Sequence, residues 1–302
     1  MLRLGIANVC IEVEAGNPAE LLRALESSFT RRYLPTVNLN VCSSIAAKVY
    51  WLPGKGFQVL SATFSSMEPD TYVVQGEYPE AYVNEPPVFF LVQVFARSLA
   101  KEGYIMLTDS VALRLNNKNV LLLGFPHTGK STMSSIALSL GYEVYSTENT
   151  VVKANDAIYI ITGTRVLVFD PRVRELYGVT VKSTSKTKHG YEVVDLDALI
   201  GHTPHDLQVP VDELYVIYTS FNSSGVSTVP VKGRKIDKLL WYFATSLIKG
   251  MDYYYPQPLD MPMDSVVAKT INDFMNTARR SYAGKFYEVF GSPLEVLKAI
   301  AS

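Results

Sequence analysis

Residues 124–132 read GFPHTGKST, a run whose residue types and spacing suit the holding of phosphate groups. Successive backbone N–H groups of such a loop, and of a helix that starts at its end, point at the phosphates. Lys130 would reach the β- and γ-phosphates of a nucleotide, and the Ser131 hydroxyl would hold Mg2+. The candidate nucleotide-binding positions are therefore Gly124, His127, Thr128, Gly129, Lys130, Ser131 and Thr132. His127 stands where a glycine is common, and histidine tolerates left-handed backbone angles better than most residues do. Its ring either contacts a phosphate or faces solvent.

Transfer of a γ-phosphoryl group also needs a carboxylate nearby, to accept the acceptor's proton or to bind Mg2+ through water. Four acids are candidates. Glu148, in YSTENT, follows a short strand beside the loop and is read as base or metal partner. Asp109 is read as a strand-end acid that could face the acceptor. Asp170 ends the apolar run RVLVFD, as a Walker B acid would, and Glu175 lies in ELYG. For each, the competing reading is an exposed acid in a turn. TVKSTSKTKHG (180–190) is basic and lacks apolar anchors, so it reads as a mobile loop. It could also bring Lys186, Lys188 or His189 to an anionic substrate. Tyr253 to Tyr255 could stack on a base, although packing between helices explains them more simply. His202 and His205 sit in a loop-like GHTPHD and do not read as metal ligands.

The elements that must position these groups are legible in outline. LLLG is an apolar strand running into the loop, and a helix from Lys130 to Leu140 runs out, ended by Gly141. Tyr104 to Leu115 and Val120 to Gly124 read as two strands joined by the polar turn NNKN. Further short strands fit Glu143–Tyr145, Thr150–Val152, Ala157–Ile161, Val166–Phe169 and LYVIYTS at 214–220. Upstream, Leu4 to Val13 reads as one strand, followed by a helix with Asn17 as N-cap and Pro18 at its first position. Residues 37–75 alternate as a small sheet, and Pro86 and Pro87 open a helix to Lys101. Amphipathic helices fit IDKLLWYFATSLIKG and 265–282, and a last one follows Ser292, Pro293 and Glu295, which form a capping box. The organisation predicted is an accessory α/β region over 1–95 and a nucleotide-binding α/β domain over 96–302.

A net charge of −1 leaves no electrostatic footprint for nucleic acid. No apolar run approaches a membrane span, since Gln93 interrupts the longest, and the start of the chain does not read as a signal peptide. The expected compartment is the cytoplasm, with Cys10 and Cys42 as reduced thiols rather than a disulfide. Oligomeric state is left open.

The stretch EGYIMLTDSVALRLNNKNVLLLGFPHTGKSTMSSIALSLGYEVYSTENTVV resembles the nucleotide-binding domain of HPr kinase/phosphorylase, and VPVDELYVIYTS with its following helix resembles that family's C-terminal half. The likeness covers about residues 100–250. It implies a P-loop mixed sheet shared with ATP-dependent phosphoenolpyruvate carboxykinases, and phosphoryl transfer from ATP with Mg2+. Three places depart. The family's paired aspartates fall on Thr147 and Glu148, its histidine before the loop strand falls on Thr108 beside Asp109, and its E-I-R-G motif falls on Glu175 to Gly178 with Tyr177 for the arginine. These departures speak against phosphorylase and HPr-directed activity, and favour a hydroxyl on a small molecule over one on a protein as acceptor. A non-catalytic nucleotide-binding regulator and a P-loop ATPase using Asp170 are the alternatives. No guanine-reading NKxD motif and no LSGGQ-like signature is present.

Overall fold

The computed structural model describes residues 1–200, 207–250 and 259–302. His202, His205 and Tyr253 to Tyr255 lie outside the described residues. The fold is mixed α/β with several sheets.

The expected first strand is a hairpin. β1 (Leu2–Ile6) and β2 (Val9–Ala15) pair antiparallel and reverse at Ala7 and Asn8, whose φ angles of 50° and 65° give the left-handed turn such hairpins require. The helix α1 (Pro18–Glu26) starts as expected, with the Asn17 side chain accepting from the Glu20 amide at 3.3 Å. After α2 (Ser28–Tyr33) come β3 (Asn38–Leu39), β4 (Ser44–Leu52), β5 (Phe57–Thr63) and β6 (Asp70–Gly76), completing a six-stranded sheet of order β3-β1-β2-β4-β6-β5. Cys10 and Cys42 are not free thiols: they form a disulfide with Cα atoms 5.6 Å apart, which corrects the reduced-thiol expectation. The loop after β3 returns beside β2 and brings the two together.

α3 (Pro86–Lys101) is buried on nearly every side, as expected of a helix that is apolar all round. Gln93, its internal polar residue, is satisfied: its amide donates to the Leu247 and Leu259 carbonyls at 3.0 and 2.8 Å and accepts from the Leu259 amide. The predicted division at 95/96 falls inside this helix.

The single strand expected over 104–115 breaks at Thr108–Asp109. β7 (Tyr104–Leu107) joins one sheet and β8 (Ser110–Leu115) another. Asp109 has φ 51°, which an extended strand cannot contain. β9 (Lys118–Leu123) feeds the 124–129 loop and α4 (Lys130–Ser139) leaves it. Next come β10 (Glu143–Ser146), β11 (Thr150–Ala154), β12 (Ile158–Gly163), β13 (Val166–Phe169), α5 (Arg172–Tyr177), β14 (Ser185–Lys186), β15 (Glu192–Asp195) and α6 (Leu196–Ile200). The chain ends with β16 (Val209–Pro210), β17 (Glu213–Thr219), β18 (Val226–Pro230), α7 (Arg234–Lys249), α8 (Ser265–Ser281), β19 (Phe286–Gly291) and α9 (Pro293–Ala301). β18 and β19 have no counterpart in the sequence reading.

The central sheet has the order β10-β8-β9-β17-β19-β18, with β9, β17 and β19 mutually parallel. Strand alternation sends Leu121, Leu123, Leu214 and Val216 into one core, with α3, α7 and the N-terminal sheet. Val120, Leu122, Tyr215 and Ile217 enter the other, with Met133, Ile136 and Ala137 of α4 and with α9. A sheet covered on both faces suits these near-continuous apolar strands.

Two local expectations are corrected. Residues 184–193 are a hairpin, β14 pairing with β15, not a loop without anchors; the anchor is the buried Val193–Val194 of the partner strand. Ser292 donates to the Glu295 carboxylate at 2.9 Å and makes no capping bond to the α9 backbone, so the full capping box does not form.

Candidate functional site

The candidate site gathers at the C-terminal ends of β9 and β17 and at the break between β7 and β8. Gly129 has φ 95°, and a Cβ there would stand 1.9 Å from Thr219 Oγ1, so both conformation and space demand glycine. His127 also has positive φ (66°) at the exposed apex of the loop. Its side chain therefore faces solvent in this state. Thr128 closes the loop on itself through Oγ1 to the Phe125 carbonyl at 2.8 Å. Thr219, which sequence reasoning missed, lashes the loop to β17: its amide and hydroxyl both donate to the Thr128 carbonyl, at 3.1 and 2.7 Å.

The start of α4 carries no side-chain cap and no acid in its first turn. Its first amides are the ones a helix cannot satisfy internally, and its dipole favours negative charge there. Ser131 is half-buried and Thr132 is buried in that turn.

Lys130 is 6 % exposed and folds back along the loop. Its Nζ donates to Asp109 Oδ1 at 2.7 Å, to the Gly124 carbonyl at 2.7 Å and to the Phe125 carbonyl at 3.2 Å, which uses all three protons. Asp109 is 2 % exposed, and its carbonyl accepts from the Gly124 amide at 3.0 Å, so the strand break and the loop entrance are one unit. Its second oxygen, Oδ2, is buried with no hydrogen-bond partner. Burial pushes the Asp109 carboxyl above the usual range, the Lys130 charge opposes this, and the Glu148 charge raises it further. Such an acceptor, dry and unpaired beside an ammonium, is costly unless something else uses it.

Glu148 is half-buried two residues beyond β10 and close enough for its charge to act on Asp109 and Tyr33. Its backbone is pinned from both sides: its amide donates to Thr164 Oγ1 and its carbonyl accepts from the Ser110 amide, each at 2.8 Å. Thr164, also missed, is thus the anchor of this turn. Thr147 points away, its hydroxyl reaching the Thr164 and Val166 carbonyls at 3.1 and 3.0 Å.

Asp109, Lys130, Glu148 and His127 are therefore brought together, and two other acids are not. Asp170 ends β13 in a separate three-stranded sheet, whereas the strands beside β9 are β8 and β17. It is gripped by Arg172, whose Nε lies 3.0 Å from both carboxylate oxygens, and that hydrogen bonding holds its carboxyl below the usual range. Glu175 is exposed on α5. Lys186 pairs with Glu192 at 3.4 Å, and His189 sets its ring edge-on to Tyr82, 5.1 Å between centroids.

Among the described residues no group of three or more His, Cys, Asp or Glu could hold a metal ion by itself. Ser131 and Glu148 carry oxygen, the donor type that Mg2+ takes when phosphates and water complete its shell. No helix among the described residues is long and apolar enough to cross a membrane.

No protein-family model matches this chain, and no curated protein matches it.

Proposed function

We infer that the chain is an ATP-dependent, Mg2+-requiring kinase, with a P-loop domain of the HPr kinase type, that transfers the γ-phosphoryl group to a hydroxyl on a small molecule. The observation that carries this reading is the buried Lys130–Asp109 pair at the mouth of the GFPHTGKS loop, with Asp109 Oδ2 unpaired. In a nucleotide complex Lys130 would exchange Asp109 and two carbonyls for phosphate oxygens, while the amides at the start of α4 take the remaining phosphate charge. The carboxylate so released, dry and of raised proton affinity, is suited to a general base. The acceptor oxygen would form its bond to the γ-phosphorus as the bond to the β–γ bridging oxygen breaks. The acceptor proton would go to Asp109 Oδ2 or to Glu148, and ADP would leave. Bound Mg2+ would neutralise charge on the phosphates, held by the Ser131 hydroxyl and through water by Glu148.

ADP release measured against a panel of hydroxyl-bearing metabolites tests the reading. Turnover is expected with one class of acceptor and abolished in Lys130→Ala; unchanged turnover in that variant would sink it. One observation favours a second reading, a non-catalytic nucleotide sensor: Thr147 occupies the place of the family's first aspartate and is consumed in internal hydrogen bonds. ATP binding without turnover for any acceptor would select that reading.

A further inference from the structure

We propose that Tyr177 and Phe221 form the clamp that receives the purine ring of the nucleotide, an assignment that rests on the nucleotide reading above. The two rings lie almost parallel, 28° apart with centroids separated by 6.1 Å. Phe221 is 55 % exposed and neighbouring Leu176 is 58 % exposed, so an apolar surface with a flat aromatic face is offered to solvent.

Position argues for the occupant. Phe221 follows two residues after Thr219, whose amide and hydroxyl hold the Thr128 carbonyl of the phosphate loop. The clamp is therefore continuous with the loop. Tyr177 packs on the core that contains Met133 and Ile136 of α4, which is the α4 face of the central sheet. Lys130 marks the opposite direction. Its ammonium lies on Asp109, and the neighbouring Thr108 amide donates to the Phe243 carbonyl on the other face. A triphosphate with its γ end beside Lys130 and its inner phosphates on the first amides of α4 places its base over the α4 face.

A second aromatic row flanks the loop, and most of it is packed against the other core. Phe125 packs on Tyr242 and Phe243 at 4.8 and 5.2 Å, and Tyr218 stacks on Phe290 at 4.9 Å. Phe125, Tyr218, Tyr242 and Phe243 belong to the other core, on the Asp109 side, and Phe290 lies at its edge, 42 % exposed. The glycine that ends α5, Gly178 at φ 65°, fixes Tyr177 at the helix terminus instead of inside the element. Base–aromatic stacking reads a flat ring rather than a hydrogen-bonding edge.

Calorimetric titration of the full chain with ATP and with inorganic tripolyphosphate, both with Mg2+, tests the clamp without requiring turnover. Phe221→Ala should weaken ATP about tenfold, leave tripolyphosphate unchanged, and be rescued by Phe221→Trp. Tyr177→Ala should act in the same direction. Unchanged ATP affinity in both alanine variants would overturn the proposal, and so would equal weakening of ATP and tripolyphosphate, which would make the rings supports of the loop. Wild-type protein that binds neither ligand would instead remove the nucleotide reading itself.

Discussion

Asp109 carries opposing demands at a single residue. It sits in a left-handed backbone conformation, 2 % exposed, with one oxygen on Lys130 and the other unpaired. Its raised carboxyl means that the folded state binds that proton more tightly than the unfolded chain does. Asp109 therefore costs stability above its folded pKa, and that cost is relieved as pH falls through the window down to the unfolded value of about 3.9. The Glu148 charge contributes to the upward shift, so Glu148→Gln should lower the Asp109 pKa. Carboxyl NMR titration of the nucleotide-free protein reads this directly, and an unmoved resonance would show that the two acids do not face each other. Asp109→Asn leaves Lys130 its two carbonyls but removes its counter-charge. Turnover is expected to fall at least about a hundredfold while ATP binds no more weakly than in wild type, because the lysine has lost the partner that competes with phosphate.

At the scale of elements, the loop depends on what β17 presents to it. Gly129→Ala would force a Cβ into Thr219 Oγ1 at a positive φ, and ATP binding should be lost before global stability is. Asp170 belongs to another sheet and to Arg172, so Asp170→Asn should leave turnover within about twofold; loss of activity there would reinstate a Walker B acid. Much of this layer was legible. Pro and Asn at helix starts, Gly at helix ends and apolar runs located α1, α3, α4, β9 and β17, because those signals act within one turn of chain. The rest was hidden by tertiary causes. YIMLTDSVALRL reads as one strand because the break at Asp109 is imposed by the Gly124 amide and Lys130, both far along the chain. β19, FYEVFG, was masked by Glu288, a charged residue that is buried and paired with Lys235. Nothing local distinguishes two thiols from the Cys10–Cys42 disulfide. For the site, the loop and its acids were readable, while Thr219 and Thr164, which aim them, were not, since a threonine at a strand end carries no pattern.

For the molecule as a whole, the question is whether the region before α3 is an appendage or part of one folding unit. Its strands and the helices α3, α7 and α8 share a continuous core running from Leu4 to Phe286. Through it passes a buried ionic brace: Arg97 of α3, 0 % exposed, donates to Asp70 of β6 and to Asp264 before α8, each at 2.7 Å, and to the Pro262 carbonyl. Asp264 also caps α8. Burial works against its charge, but the Arg97 hydrogen bond and the Val267 and Val266 amides outweigh that and hold its carboxyl low. Its stabilisation is therefore present above the unfolded value of about 3.9 and lost as pH falls through the depressed folded pKa. Arg97→Met leaves the buried Asp70 with Lys101 as its remaining cationic partner among the described residues and should cost about 3–5 kcal/mol in urea unfolding. The two tryptophans report on the two regions separately: Trp51 lies buried in β4, donating to the Gly76 carbonyl, and Trp241 is 43 % exposed on α7. In Trp241→Phe the fluorescence follows the N-terminal sheet, and in Trp51→Phe it follows α7. Because Arg97 and α3 bridge both, the shift from urea midpoint to urea midpoint that Arg97→Met causes should be equal in the two single-tryptophan backgrounds, each coincident with the far-ultraviolet dichroism transition. A midpoint that moves for Trp51 but not for Trp241 would divide the molecule into two units, with the N-terminal sheet folding separately from α7.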